Sequence, residues 1–253
     1  MDRKSDDRIV WITGASSGIG KGLALAYARK GAKVAISARS EGRLEELAAE
    51  NPDNIFAFPV DVTDAGAVAK CVTDIEQKLG PIDQAILNAG TYTETPIDNF
   101  DPEIVERTMM VNVVGVANAV APLMKTMRAR RSGRIAIMAS VAGYRGLPRA
   151  AAYCGSKAAL IAMAQSLKAE LDSEGVTMQV ICPGFVKTPL TEQNSFDMPY
   201  LMDVDDAVAR VMAGLETDTF EIAFPKRFAW QLKMMQKLPD ALYFPMIKKA
   251  TGL

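Results

Sequence analysis

Thr13-Gly14-Ala15-Ser16-Ser17-Gly18-Ile19-Gly20 joins an apolar run, Ile9 to Thr13, to a stretch of helical composition, Lys21 to Arg29. A strand in front and a helix behind make these glycines more than a tight turn. Without a Cβ the backbone can turn sharply and approach a diphosphate, while the N–H groups and dipole at the helix start attract its charge. The spacing is Gly-x-x-x-Gly-x-Gly, not the commoner Gly-x-Gly-x-x-Gly.

Outward from this segment the strand, loop and helix unit repeats. Lys33 to Ala38, Ile55 to Val60 and Gln84 to Leu87 read as strands, separated by helices at Glu41 to Glu50 and Asp64 to Leu79. A long helix near Pro102 to Arg130, a strand at Arg134 to Ala139, a helix near Ala151 to Ser173 and a strand at Thr177 to Cys182 follow, and Thr219 to Phe224 adds a last strand. Strands that alternate with helices and are unbroken apolar runs predict an α/β fold with a parallel sheet covered on both faces. Ligands of such a sheet bind at the carboxyl ends of its strands, where strand order reverses. The 253 residues fit one large domain, 1–253, with 49% hydrophobic content to fill its core.

Composition removes several function classes. With 29 basic and 30 acidic residues, net charge −1, the chain has no global field to draw it to nucleic acid. Cys71, Cys154 and Cys182 are odd in number and scattered, which fits a reducing compartment rather than a disulfide framework, and no metal site is expected. Histidine is absent, so no Ser-His or Cys-His nucleophile exists within the chain, and proton transfer falls to Tyr, Lys, Asp, Glu or Cys. The charged start Met1 to Arg8 leads into a strand with no signal core behind it, and no run reaches about 18 consecutive apolar residues. A cytoplasmic protein is expected.

Tyr153-Cys154-Gly155-Ser156-Lys157 places a phenol and an ammonium four residues apart, on one helix face. A fixed positive charge favours phenolate and lowers a pKa that is otherwise near 10, so the pair is a candidate general acid/base. Cys154 is turned about 100° away from Tyr153 on a helix and reads as packing.

The chain closely resembles the short-chain dehydrogenase/reductase family from about Ile9 to Phe224. The resemblance rests on the glycine segment, Asp61-Val62, Asn88-Ala89-Gly90, Asn112, Ser140, Tyr153/Lys157 and Pro183-Gly184-Phe185-Val186-Lys187-Thr188, in order and at family-like spacing. It implies a Rossmann-like doubly wound sheet of about seven parallel strands and a homodimer or homotetramer. Leu87 stands where the family more often has another asparagine. By resemblance Asn112, Ser140, Tyr153 and Lys157 are catalytic. Tyr153 exchanges the proton of a carbonyl or alcohol, Ser140 steadies the same oxygen, Lys157 lowers the phenol pKa and holds the cofactor ribose, and Asn112 helps hold a water that links Lys157 to solvent. The cofactor falls to Gly14, Ser16, Ser17, Gly18, Ile19 and Gly20 at the diphosphate, and to Asp61, Val62, Asn88, Ala89 and Gly90 around the adenosine. Pro183, Gly184, Val186 and Thr188 lie at the nicotinamide. NAD-preferring members carry an acid at the end of the second strand; here Ala38 takes that position and Arg39 follows, which predicts NADP(H) over NAD(H).

The resulting expectation is an NADP(H)-dependent oxidoreductase acting on a ketone or aldehyde and its alcohol; the alternative is a non-catalytic NADP-binding regulatory or scaffold protein. An apolar, lipid-like substrate would meet Ser140, Tyr153, Ala142, Tyr144 and Phe185, together with Tyr92, Val141 and Leu147. Residues 189–204 are either a substrate lid or an ordinary surface connection. The extension 226–253 departs from the family's short ending: Phe228, Leu232, Met235 and Leu242 fall near one helical face, flanked by six basic residues, with a break at Pro239. Such a stretch can pack on protein, close the pocket or lie on an anionic bilayer.

Overall fold

A computed structural model of the protein describes residues 8–192 and 198–252. Strands β1 (Ile9–Thr13), β2 (Lys33–Ser37), β3 (Ile55–Ala57), β4 (Gln84–Leu87), β5 (Gly133–Met138), β6 (Val176–Pro183) and β7 (Glu221–Phe224) form a single sheet in the order β3-β2-β1-β4-β5-β6-β7. Every pairing is parallel, and Thr13 at the end of β1 lies in register with Ser37 on one side and Leu87 on the other. The seven-stranded, doubly wound α/β expectation is met.

The two-residue period of the strands divides the core. Ile9 and Trp11 of β1 face a layer built from α3 (Ala65–Leu79), α5 (Gly115–Ala129) and α6 (Ala151–Leu171). Val10 and Ile12 face the opposite layer, made by α1 (Gly18–Arg29), α2 (Glu41–Ala49) and α7 (Val204–Leu215). Both faces of β1 are therefore dry, which is why its sequence shows no polar alternation.

Element ends moved for local reasons. α1 begins at Gly18 rather than Lys21, with Ser17 as its extended N-cap. Asp64 stays outside α3 because its carboxylate accepts the Ala67 N–H at 2.9 Å. β3 is three residues shorter than its apolar run, for its ladder to β2 ends at Ala57. The long helix from Pro102 to Ala129 is interrupted: α4 (Pro102–Met109) passes through a π turn, Met110–Val114, into α5. The 28 residues are long enough to span a membrane and contain an 18-residue window of mean hydropathy 1.3, yet Val116, Ala119, Val120, Leu123 and Met127 are buried in the core.

The extension forms α8 (Lys226–Gln236) and α9 (Asp240–Thr251). Phe228 and Leu232 are buried as expected and Met235 is half-buried, but Leu242 is 59% exposed. Pro239 restarts the helix with a new phase, so Tyr243 and Ile247 point inward instead. Residues 193–197 of the expected lid lie outside the described residues. Its two ends are tied together, since the Lys187 N–H donates to the Met202 carbonyl at 2.9 Å and the Met202 N–H to the Phe185 carbonyl at 3.0 Å.

Candidate active site

β1 and β4 are neighbours without being consecutive, so the strand order reverses between them and a crevice opens at their carboxyl ends. Thr13 fixes its shape. Its hydroxyl accepts the N–H groups of Asn88 and Ala89, each at 3.0 Å, and the Asn88 amide donates back to the Thr13 and Gly14 carbonyls at 3.1 Å. Gly14 has φ 66°, and a Cβ there would lie 2.7 Å from Ala89 Cα. Only glycine fits that double demand of conformation and space. At Gly20 an added Cβ would lie 2.6 Å from the Asn88 amide nitrogen and run into the Gly14 carbonyl, so the last glycine packs the loop against β4 rather than facing a ligand. No side chain caps α1 at Ser17, which leaves the first-turn N–H groups open to an anion.

A cavity of about 600 Å³ runs from this loop to the end of β5. Ser16, Ser17, Gly18 and Ile19 line it with Gly14, and Arg39, Asp61, Val62, Asn88, Ala89 and Gly90 continue the wall. Pro183, Gly184, Val186 and Thr188 close it from β6, and Ser140, Tyr153 and Lys157 stand at its end. The sequence reading missed Arg43, on α2 four residues beyond Arg39, as well as Arg107 and Thr91, while Leu190 belongs to the expected lid. Their only signal was proximity to residues already singled out. The residues fit a nicotinamide dinucleotide: an open helix start for a diphosphate, two guanidinium groups and no acid after β2, and an apolar Val62 beside Asp61. Asp61 is held below the usual carboxylate range by the Thr63 N–H, with Arg39 contributing.

At the reacting end Tyr153 is the N-terminal member of the pair on α6. Its phenol is pushed up to about 12 by burial, which outweighs the hydrogen-bonding Ser140 hydroxyl. Desolvation is the largest influence on this phenol. Lys157 is itself brought down to about 8 by burial, and its ammonium, 5.4 Å from the Tyr153 ring centre, donates to the Met138 carbonyl at 2.8 Å. Ser140 caps the turn Val141–Gly143 by accepting the Ala142 N–H at 3.1 Å and donates to the Pro183 carbonyl at 3.3 Å.

Asn112 is fully buried in the π turn, behind the cavity wall. Its Oδ1 accepts the Thr91 N–H at 2.7 Å, while its amide donates to the Thr91 carbonyl and the Ser156 hydroxyl, each at 3.0 Å. Tyr144 and Phe185, expected at the substrate, do not line the cavity. Tyr144 is buried with its hydroxyl on Glu221 at 2.6 Å, and burial pushes that phenol far above its ordinary value. Phe185 stacks on Phe228 with ring centres 5.9 Å apart. Phe185 turned away because the extension offers it the ring of Phe228, which the short resemblance did not include. Ala142 instead joins Tyr92, Leu147, Ala150 and Leu190 in an apolar cluster around Tyr153, with Tyr92 edge-on to it at 5.2 Å. Cys154 is buried there and accepts the Leu147 N–H at 3.4 Å, as packing predicts.

Comparison with known proteins follows the same lines. The family profile described as short chain dehydrogenase matches residues 8–198. An uncharacterized oxidoreductase of Myxococcus xanthus is 36% identical over 239 residues, covering 93% of this chain and 94% of that one. The 3-oxoacyl-[acyl-carrier-protein] reductase MabA of Mycobacterium avium is 33% identical over 184 residues, 73% of this chain and 69% of its own. A short-chain dehydrogenase from Streptomyces avermitilis superposes with TM-score 0.82 at 25% identity over 90% of this chain and 91% of its own. The reversed strand order, the glycine loop beside it and these matches have one conclusion: the chain belongs to the short-chain dehydrogenase/reductase family, oxidoreductases that interconvert C=O and CH–OH groups with NAD(P).

Proposed function

We propose that the protein is an NADP(H)-preferring carbonyl reductase, with Tyr153 as general acid and an apolar, lipid-like carbonyl compound as substrate. The observation that carries this reading is the single cavity that joins Arg39 and Arg43 at one end to Ser140, Tyr153 and Lys157 at the other. Arg39 and Arg43 supply charge-assisted donors for a 2′-phosphate, and no carboxylate at position 38 repels it. The bound nicotinamide supplies hydride to the carbonyl carbon. Tyr153, protonated throughout the physiological range, gives its proton to the oxygen as charge develops there, and Ser140 donates to the same atom. The tyrosinate left behind is reprotonated through Lys157, the nearest group with a pKa near neutrality, with Asn112 holding the wall behind it.

Leu190 lines the cavity, and behind it Tyr92, Ala142 and Leu147 form an apolar cluster around Tyr153, which suits an apolar substrate. Residues 189–204, of which 193–197 lie outside the described residues, are the segment that would cover the substrate, and Val186 and Met202 beside its ends meet in an isolated parallel bridge. Three free, buried cysteines support a reducing, cytoplasmic setting, and exposed Met110 and Val114 on the long helix offer a face to a second copy in a homodimer or homotetramer. The test is oxidation of NADPH and of NADH across ketones, aldehydes and 3-oxoacyl thioesters. Turnover with NADPH at a KM at least about tenfold below that for NADH supports the reading, because one charge-assisted hydrogen bond is worth that much. Equal use of both cofactors, unchanged in Arg39→Asp, overturns the preference, and no turnover of any carbonyl overturns the function.

A further inference from the structure

The extension is polarised in charge and in exposure. Residues 226–253 carry six basic side chains against Asp240 alone, a net +5, so the rest of a chain of net charge −1 holds −6. Asp240 is neutralised by Arg145 at 2.5 Å, and Lys233 pairs with Glu221. Lys226, Arg227, Lys237, Lys248 and Lys249 remain exposed, with no ion pair among the described residues.

Apolar side chains stand among these cations. On α8, Arg227, Trp230, Met234 and Lys237 are spaced three, four and three residues apart, on one outward face, with Trp230 64% and Met234 46% exposed. On α9, Leu242, Met246 and Lys249 form a second stripe. The opposite faces are anchored. Phe228, Ala229 and Leu232 enter the main core, and Tyr243 is locked under Arg145, 3.7 Å from the guanidinium, with its hydroxyl on the Gly146 carbonyl at 2.5 Å. Tyr200 and Leu201, both partly exposed, extend the apolar patch where the Tyr200 ring meets Phe228 at 5.6 Å. An exposed tryptophan, long apolar side chains and unpaired cations on a rigidly held helix pair suit the interface of an anionic bilayer.

We infer that α8 and α9 form an interfacial anchor that seats the protein on anionic membrane surfaces, Trp230, Met234, Leu242 and Met246 entering the headgroup region and the five free cations pairing with lipid charge. The inference is independent of the carbonyl chemistry.

The experiment uses the full chain with phosphatidylcholine vesicles, with and without about one third phosphatidylglycerol, at low and high salt. Trp11 is wholly buried, so a change in tryptophan emission on mixing reports Trp230. Expected are a blue shift and at least about fivefold more co-sedimentation on the anionic vesicles, reversed by salt and lost in both Trp230→Ala/Met234→Ser and Lys248→Glu/Lys249→Glu. These side chains are exposed, so the variants should keep the wild-type melting temperature, which is measured alongside. Absence of a shift and of sedimentation on anionic vesicles at low salt overturns the proposal. So does a wild-type dimer, by light scattering, that dissociates in Trp230→Ala, since the face would then be covered by a second copy.

Discussion

Burial sets the chemistry of Tyr153 and Lys157 more than their spacing does. Four residues on one helix face bring phenol and ammonium together, but removing both from water pushes the phenol up to about 12 and the ammonium down to about 8, so each is driven toward its neutral form. Tyr153→Phe removes the proton donor while keeping the edge-on contact with Tyr92. We expect kcat for carbonyl reduction to fall by roughly 10²- to 10⁴-fold with an unchanged melting temperature, measured by NADPH oxidation and thermal unfolding. Lys157 is testable through pH. Unfolded, it keeps its proton to about pH 10.5; folded, it loses it near 8, so between these values the unfolded state binds more protons and the folded state gains stability as pH rises. Relative to Lys157→Met, the wild type should therefore become more stable from pH 8 to 10.5, by on the order of 3 kcal/mol, in denaturant titrations. Tyr153 titrates in both proteins and cancels. A flat difference would mean that Lys157 is not desolvated. Over the same range kcat/KM for reduction should fall above about pH 8, as the cation is lost.

Among the elements, the glycine loop was the most legible and the π turn the least. A strand, three glycines and a helix specify a phosphate-binding turn by local conformation alone, and Gly14 at φ 66° obeys that logic. The role of Gly20 is different: it closes the loop onto Asn88 of the β4 end, a contact 68 positions away that no local pattern encodes. Gly20→Ala should cost about 1–3 kcal/mol of stability and weaken cofactor binding together, seen in unfolding curves and in titration with NADPH. Loss of stability with cofactor affinity intact would show that the loop relaxes freely. Asn112 was found as a residue but not as a structure. Its three hydrogen bonds to Thr91 and Ser156 become available because the helix widens by one residue per turn there, and periodicity does not reveal a single wide turn. Strand ends erred for a similar reason: apolar residues 58 to 60 follow β3, but the ladder that defines a strand depends on where the neighbouring β2 stops.

At the scale of the whole molecule, alternating patterns made the doubly wound sheet readable, whereas the destination of the extension was not. Helical phase alone put Leu242 on one face with Phe228, Leu232 and Met235; Pro239 reset the phase, and Tyr243 took the inner position. Two residues expected at the substrate are engaged elsewhere, Tyr144 with Glu221 of β7 and Phe185 with Phe228 of the extension. Phe228 thus stands where three parts meet: the core beneath the sheet, Phe185 after β6, and Tyr200 at the far end of the lid segment. Truncating it to alanine leaves a cavity that none of these parts can fill alone, at a cost of about 3–5 kcal/mol, or roughly 6–20 °C in melting temperature for a chain of this size. Because Val186 and Thr188, at the cavity, lie within three residues of Phe185, loosening that contact should also raise KM for the carbonyl substrate more than it lowers kcat. The pair of measurements separates the two roles. A melting shift with unchanged KM would confine Phe228 to packing, whereas both changes together, rescued by Phe228→Leu, would show that the extension holds the β6 end of the active site in place.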